Sequence, residues 1–294
     1  MRRTLTIAAL GTLLCLVAAG CDLNVKDVTP KGTGPLRYRD AIFTDVTTTS
    51  DITYGSAPKF DGSGTEVLKL DVYRPTGDTV KKRPLVVYVH GGSFKNGDKT
   101  SPELVDEANT LAKEGYVVAS IDYRMDPVGC TAYGDACLNA IRGAMHDAQA
   151  AVRYLRNKDN TYGIDASRIA MGGSSAGAIT AVNVAWAGKD VGSSGTPGVS
   201  SAIKGAVSLS GAAILTTPAK GAPPVLFLHG TADHTVPYDW MVASRKNADK
   251  VGVHTELTAW DGDGHVPYVA HRQQILDETR NFLYAELDLA HAAH

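Results

Sequence analysis

The chain has 294 residues, 44% of them hydrophobic and 20% charged, with a formal net charge of −2. That length suits one large domain with a well-buried core and is thin for two. Acidic and basic residues are interspersed, with no basic stripe and no charged tail, which argues against nucleic acid as a partner and for an ordinary globular protein.

At the N-terminus, Arg2 and Arg3 precede an apolar stretch over residues 5–19. It is shorter than the roughly 20 residues that span a bilayer. A basic start, a short apolar run and small residues at its end read as a secretory signal peptide over residues 1–20. A permanent membrane helix is the alternative. The segment Leu16-Val17-Ala18-Ala19-Gly20-Cys21 resembles the lipobox of bacterial lipoproteins, in which the Cys after the cut is lipidated. Ala18 stands where that motif usually has Leu, and ordinary cleavage after a small residue competes with lipidation. Cys21 at the expected cut favours the lipoprotein, which two or more acyl chains would anchor stably. The expected address is extracytoplasmic, with membrane contact only through this anchor, and otherwise secreted or periplasmic. Residues 21–40 contain Pro30, Gly32, Gly34 and Pro35 and read as a flexible spacer. The catalytic domain is expected over 41–289, with a tail at 290–294.

Residues 42–46 and 67–73 alternate apolar and polar side chains, as half-exposed strands do. Thr76-Gly77-Asp78 is a turn. Short, nearly continuous apolar runs follow at 85–89, 117–121, 169–171, 206–209 and 225–228, as in strands buried on both faces of a parallel sheet. Helical patterns separate them. Ile141, Ala144, Met145, Ala148, Val152 and Leu155 form one apolar stripe, and 103–113, 176–186, 239–250 and 272–289 are further helices. Alternating strands and helices predict a doubly wound, mostly parallel α/β sheet, with ligands bound beyond the carboxyl ends of its strands. Between the second and third runs of this series, Cys130 and Cys137 stand seven apart in a polar loop and read as a disulfide in an exported protein. No further Cys or His lies at ligand spacing, so no metal site is expected.

The run at 169–171 leads into Gly173-Ser174-Ser175-Ala176-Gly177 and then a helix, the context that a G-x-S-x-G elbow requires. The strained turn lifts the Ser175 hydroxyl above the sheet, and a side chain on either flanking position would meet backbone. Ser174 is one residue off the centre. In the order nucleophile, acid, base, Asp233 follows the run at 225–228 and is the expected acid, with Asp239 as the alternative. His265, in the loop Asp261-Gly262-Asp263-Gly264-His265, is the expected base. His254 reads as a surface residue, His271 as the start of a helix, and His291 and His294 as parts of a frayed tail.

The run at 85–89 ends in His90-Gly91-Gly92-Ser93-Phe94, which resembles the oxyanion-hole loop of lipases and esterases. His90 reads as a brace for that loop, since the order of the triad places the base last. With the elbow, Asp122-Tyr123-Arg124 and Leu70-Asp71-Val72-Tyr73-Arg74-Pro75, this makes residues 42–289 resemble the carboxylesterase and lipase branch of the α/β-hydrolase superfamily. Within that branch it looks similar to hormone-sensitive-lipase-like and feruloyl-esterase-like bacterial enzymes. The resemblance implies the α/β-hydrolase fold and ester hydrolysis through an acyl-enzyme on Ser175, with no cofactor. It also implies an oxyanion hole from the backbone N–H groups of Gly92, Ser93 and Ala176. Ser93 departs from the third Gly of many relatives. The gap at 210–224 is too short for the helical cap that many relatives insert, so an open site shaped by loops 94–101, 123–138 and 211–223 is expected. Such a site would favour short acyl chains on small-molecule or polymer-linked esters. The competing readings are a peptidase of the prolyl-oligopeptidase type and a non-catalytic binding protein on the same fold.

Overall fold

The structure is a computed structural model that describes residues 32–192 and 194–292. The expected signal peptide, Cys21, most of the spacer and His294 lie outside the described residues. In chain order the elements are β1 (Val46–Pro58), β2 (Thr65–Pro75), β3 (Arg83–Val89), α1 (Pro102–Lys113), β4 (Val117–Ile121), α2 (Asp135–Asn157), α3 (Asp159–Tyr162), β5 (Ile164–Ser174) and α4 (Ala176–Ala185). Then come β6 (Ala206–Leu209), β7 (Val225–Gly230), α5 (Tyr238–Val251), β8 (Thr255–Trp260) and α6 (Tyr268–Glu286), with a 3-10 turn at Leu289–His291.

The strands form one sheet in the order β1-β2-β4-β3-β5-β6-β7-β8. β1 and β2 run antiparallel to their neighbours, and β4 through β8 are parallel. The apolar runs are continuous because both faces are covered. On β3, Leu85, Val87 and Val89 join the core with Ile141, Ala148 and Val182 of α2 and α4, while Val86 and Tyr88 join Leu104, Leu111 and Phe282 of α1 and α6. Successive side chains of a strand point to opposite faces, so one strand feeds both cores. From β3 the chain moves outward to β4, then returns to pair β5 on the other side of β3. That reversal opens a crevice beyond the carboxyl ends of β3 and β5, where ligands bind in open α/β sheets. His90-Gly91-Gly92 and Ser175 follow those two strand ends directly.

The first strand departs from expectation. Residues 42–45 are not extended into the sheet; the strand starts at Val46 and runs to Pro58, mostly exposed. It is an edge strand whose Thr-rich outer face carries no apolar alternation, and its pairing with β2 slips at Thr49/Ile52 and Thr53/Gly55. Asp51, at φ 57°, sits in the first of these slips.

Both ends of the expected domain also shift. The spacer expected through residue 40 is already docked at Arg37 and Tyr38, both buried. Tyr38 N donates to Glu114 O at 2.7 Å, its ring meets Tyr116 edge-on at 5.2 Å, and Arg37 pairs with Asp78 while donating to Gly115 O at 3.1 Å. A buried Tyr ring and a paired Arg hold this segment despite its Pro- and Gly-rich flank. The expected frayed tail is held through Ala292. Leu289 is fully buried, and the Arg168 guanidinium donates to the carbonyls of Leu287 (2.9 Å), Asp288 (3.4 Å) and His291 (3.3 Å). Helix α2 begins before the apolar stripe, so Cys137 lies in its first turn, joined by a disulfide to Cys130 in the preceding loop. Residues 210–224, between β6 and β7, hold no helix or strand.

Candidate active site

Strand β5 ends at Ser174 and helix α4 starts at Ala176, which leaves Ser175 alone on the turn at φ 54°, ψ −117°. A non-glycine residue there is strained and stays only because its surroundings demand it. They do. A Cβ on Gly177 would lie 1.8 Å from Val89 O, and one on Gly173 2.5 Å from the same oxygen. The end of β3 therefore passes so close to the elbow that both flanking positions must be glycine. Ser175 N donates to Leu209 O at 2.9 Å, and Ser175 O accepts from Ile179 N at 2.9 Å, which ties the turn to β6 on one side and to α4 on the other.

Ser175, Asp233 and His265 come together. The Ser175 hydroxyl donates to His265 Nε2 at 2.7 Å, and His265 Nδ1–H donates to Asp233 Oδ2 at 2.7 Å. Asp233 is buried, and its other oxygen, Oδ1, accepts the backbone N–H groups of Thr235 (2.9 Å) and Val236 (3.0 Å). Burial pushes the Asp233 carboxyl up, but hydrogen bonds from His229 and His265 and the charge of His265 outweigh it and hold the group well below the usual carboxylate range. The acid and base loops are joined at their roots. A Cβ on Gly230 would lie 2.4 Å from the carbonyls of both Asp263 and Gly264, Ala232 N donates to Asp263 O at 2.9 Å, and Val266 N donates to Ser210 Oγ at 3.0 Å.

The rival residues have other places. Asp239 lies in the first turn of α5. His254 is exposed beside Glu256. His271 stacks on Trp260 with centroids 4.4 Å apart and pairs with Asp263, so it steadies the base loop from behind. His90 is fully buried and stacked on Tyr123 at 4.4 Å; its Nδ1–H donates to Gly91 O at 2.7 Å, and burial pushes its pKa down. It is a neutral brace. Ser174 is turned away from the triad and donates to Glu103 Oε1 at 2.9 Å.

The loop after β3 carries consecutive residues in left-handed backbone: Gly92 (φ 109°), Ser93 (φ 55°) and Phe94 (φ 59°). Gly92 has no substitute, since a Cβ there would sit 2.0 Å from Asn96 O. Ser93 O and Phe94 O accept from Cys130 N (2.8 Å) and Asp126 N (3.0 Å), so the disulfide loop holds this one in place. The N–H groups of Gly92, Ser93 and Ala176 donate to no acceptor among the described residues.

Two cavities meet at Ser175. One, of about 180 Å³, is mainly apolar, walled by Phe94, Ile141, Ile179, Ile214, Val236, Trp240, Tyr133 and both disulfide cysteines. The other, of about 360 Å³, is more open and has Glu103 and His265 in its wall with Gly91, Gly92, Ser93, Gly97, Ser101, Ser174, Thr235 and Val266. Of the loops expected to shape the site, 94–101 and 123–138 do so, and 211–223 adds Ile214 to the apolar wall. The segment 235–240 was not foreseen. Neither were Glu103 and His229, whose Nε2 lies 3.2 Å from Asp233 Oδ2 while donating to Val236 O at 3.0 Å. A His ending an apolar strand four residues before the acid was the available signal for His229.

The sequence profile of the BD-FAE family matches residues 70–217, half of the chain, and that of the TAP-like proteins matches residues 208–286. Esterase LipI of Mycobacterium tuberculosis is 31% identical over 118 residues, which cover 40% of this chain and 33% of LipI. Isoprenylcysteine alpha-carbonyl methylesterase ICME of Arabidopsis thaliana is 24% identical over 284 residues, 80% of this chain and 62% of its own. The chain thus spans from a third to about three fifths of the length of these relatives. Among solved structures, a thermophilic esterase from Thermogutta terrifontis superposes with a TM-score of 0.64 at 22% identity, over 85% of this chain and 95% of its own, which shows a shared fold.

Proposed function

The chain belongs to the BD-FAE family of α/β-hydrolase proteins, and on that footing we propose that it is a serine carboxylesterase acting through an acyl-enzyme on Ser175. The observation that carries the reading is the unbroken path Ser175–His265–Asp233, with both hydrogen bonds at 2.7 Å. Ser175 Oγ attacks the ester carbonyl as its proton passes to His265 Nε2. Asp233 keeps the Nδ1 proton in place and stabilises the imidazolium. The carbonyl oxygen, now negative, is met by the amides of Gly92, Ser93 and Ala176. The tetrahedral intermediate expels the alcohol, which takes the proton from His265. Water then repeats the sequence and releases the acid.

The apolar cavity of about 180 Å³ supports a short acyl group. Each methylene that protein covers contributes about 0.8 kcal/mol, and none once the chain emerges past Tyr133 and Trp240, so kcat/KM should fall beyond about butyrate to hexanoate. Solved forms of the Thermogutta esterase carry propionate and butyrate. The N-terminal sequence extends the proposal to an exported protein, anchored through lipid on Cys21. Radiolabelled palmitate should enter the wild type and not Cys21→Ala.

A series of p-nitrophenyl esters from acetate to palmitate tests the activity and the acyl preference together. Ser175→Ala should lose turnover and labelling by a fluorophosphonate, while Ser174→Ala keeps both. The opposite pattern would move the nucleophile, and activity that climbs steadily to palmitate would show that the acyl cavity is not the limit.

A further inference from the structure

The more open cavity is lined by one carboxylate, that of Glu103, which the acyl-transfer chemistry does not use. His265 must hand its proton to the leaving oxygen, so the alcohol half of the ester lies on the side that His265 lines. His265 borders the open cavity with Glu103, Ser174, Ser101 and Gly97 and is absent from the walls of the apolar one. The geometry points to Glu103 as the residue that selects the alcohol, favouring a cationic leaving group and rejecting an anionic one. This rests on the carboxylesterase reading above.

Glu103 stands in the first turn of α1, and the Ser174 hydroxyl holds its Oε1 at 2.9 Å. Ser174 is itself nearly fully buried at the end of β5, beside the nucleophile, so it fixes where the carboxylate points. Oε2 accepts no hydrogen bond from any described residue. No Lys or Arg lines this cavity, and Arg272 and Lys99 have other partners. Arg272 pairs with Asp106 at 2.5 Å, and Lys99 lies 3.3 Å from both Asp51 and Asp71. Behind Glu103, burial pushes Glu107 up to about 8, so that neighbour adds little charge at neutral pH. One carboxylate therefore faces the alcohol side with no compensating cation among the described residues. A unit charge about 6 Å away in a half-solvated cleft shifts binding by about fivefold to tenfold, in opposite senses for a cation and an anion. Ser174 becomes a positioning residue, which explains a polar side chain one step from the nucleophile that takes no part in the triad.

The test uses three acetates that share the acyl group and differ in the charge of a similar-sized alcohol: 2-(trimethylammonio)ethyl, 3,3-dimethylbutyl and 2-carboxyethyl, followed by pH-stat. In the wild type at low salt, kcat/KM should follow the order cation, neutral, anion, with the cation-to-anion ratio at about 25-fold or more. About 0.5 M NaCl should compress the ratio, because exposed charges are screened. Glu103→Gln should bring it near one, Glu103→Lys should invert it, and Ser174→Ala should reduce it. A ratio within one variant does not depend on how much of that variant is folded. Failure of the parent reading appears as no hydrolysis of the neutral acetate by the wild type. Failure of this inference appears as hydrolysis of all three at equal rates, or as a ratio that survives Glu103→Gln or is indifferent to salt. Should Glu103→Gln be inactive on every ester, the salt titration of the wild type decides alone.

Discussion

Replacing Asp233 by Asn tests the polarity of the triad rather than its shape. The Asp233 carboxylate accepts on both sides: two backbone N–H groups, of Thr235 and Val236, at Oδ1, and His265 Nδ1–H at Oδ2, where His229 Nε2 also lies at 3.2 Å but has Val236 O at 3.0 Å as its closer partner. Asn has one acceptor and one donor end. If its oxygen turned toward His265, its NH₂ would face those two N–H groups, and the buried one of Val236 would be left unpaired at about 1–3 kcal/mol. The oxygen therefore stays with Thr235 and Val236, and the NH₂ points at His265 Nδ1. The imidazole must then accept there and carry its proton on Nε2, facing Ser175, where it cannot take the serine proton. We expect kcat to fall by about 10³–10⁴-fold, or about 4–5.5 kcal/mol of transition-state stabilisation, with the fold retained. Asp233→Ala, which lets water in and does not impose a tautomer, should be no worse. The assay is kcat on p-nitrophenyl acetate, with circular dichroism and thermal melting as controls. Asp233→Asn within tenfold of wild type, or Asp239→Asn as the inactive variant, would refute the reasoning.

Gly177→Ala should destabilise by about 3 kcal/mol or more and abolish activity, because its Cβ would lie 1.8 Å from Val89 O, whereas Gly134→Ala, with nothing within 4 Å, should melt within about a degree or two of wild type. Reducing the Cys130–Cys137 disulfide should cost about 2.5 kcal/mol of stability on the chain-entropy model. Both cysteines also line the apolar cavity, so KM should rise more for butyrate than for acetate; equal changes would detach the disulfide from acyl binding. Glu107 is buried, and burial raises its pKa from 4.5 to about 8. A raised folded pKa contributes stability that is present below the unfolded value and is lost as pH rises through the folded one. Wild type should therefore lose up to about 4–5 kcal/mol relative to Glu107→Gln between pH 5 and pH 8–9, read from melts in denaturant, and parallel pH curves for the two would show that Glu107 ionises freely.

Local sequence was enough for whatever depends on near neighbours along the chain. The apolar runs of β3, β4 and β5 to β7 mark strands covered on both faces, because only burial on both sides removes the polar alternation. The elbow glycines are legible because a strand-to-helix turn through Ser175 has no room for a Cβ, and the acid and base could be picked from the loops that follow late strands. The edge strand β1 was misplaced because its outer face meets water and leaves no apolar period. Arg37 and Tyr38 were hidden in a Pro- and Gly-rich stretch, since their burial depends on Asp78 and Glu114, far along the chain. The same holds in the site. Ser174 finds Glu103 across 71 residues, and Trp240 stands edge-on to Tyr133 at 5.5 Å from a helix on the other side of the cleft. Local sterics and solvent pattern each element one by one. Which side chains face a common cavity is decided only when the strand order brings their loops to one end of the sheet.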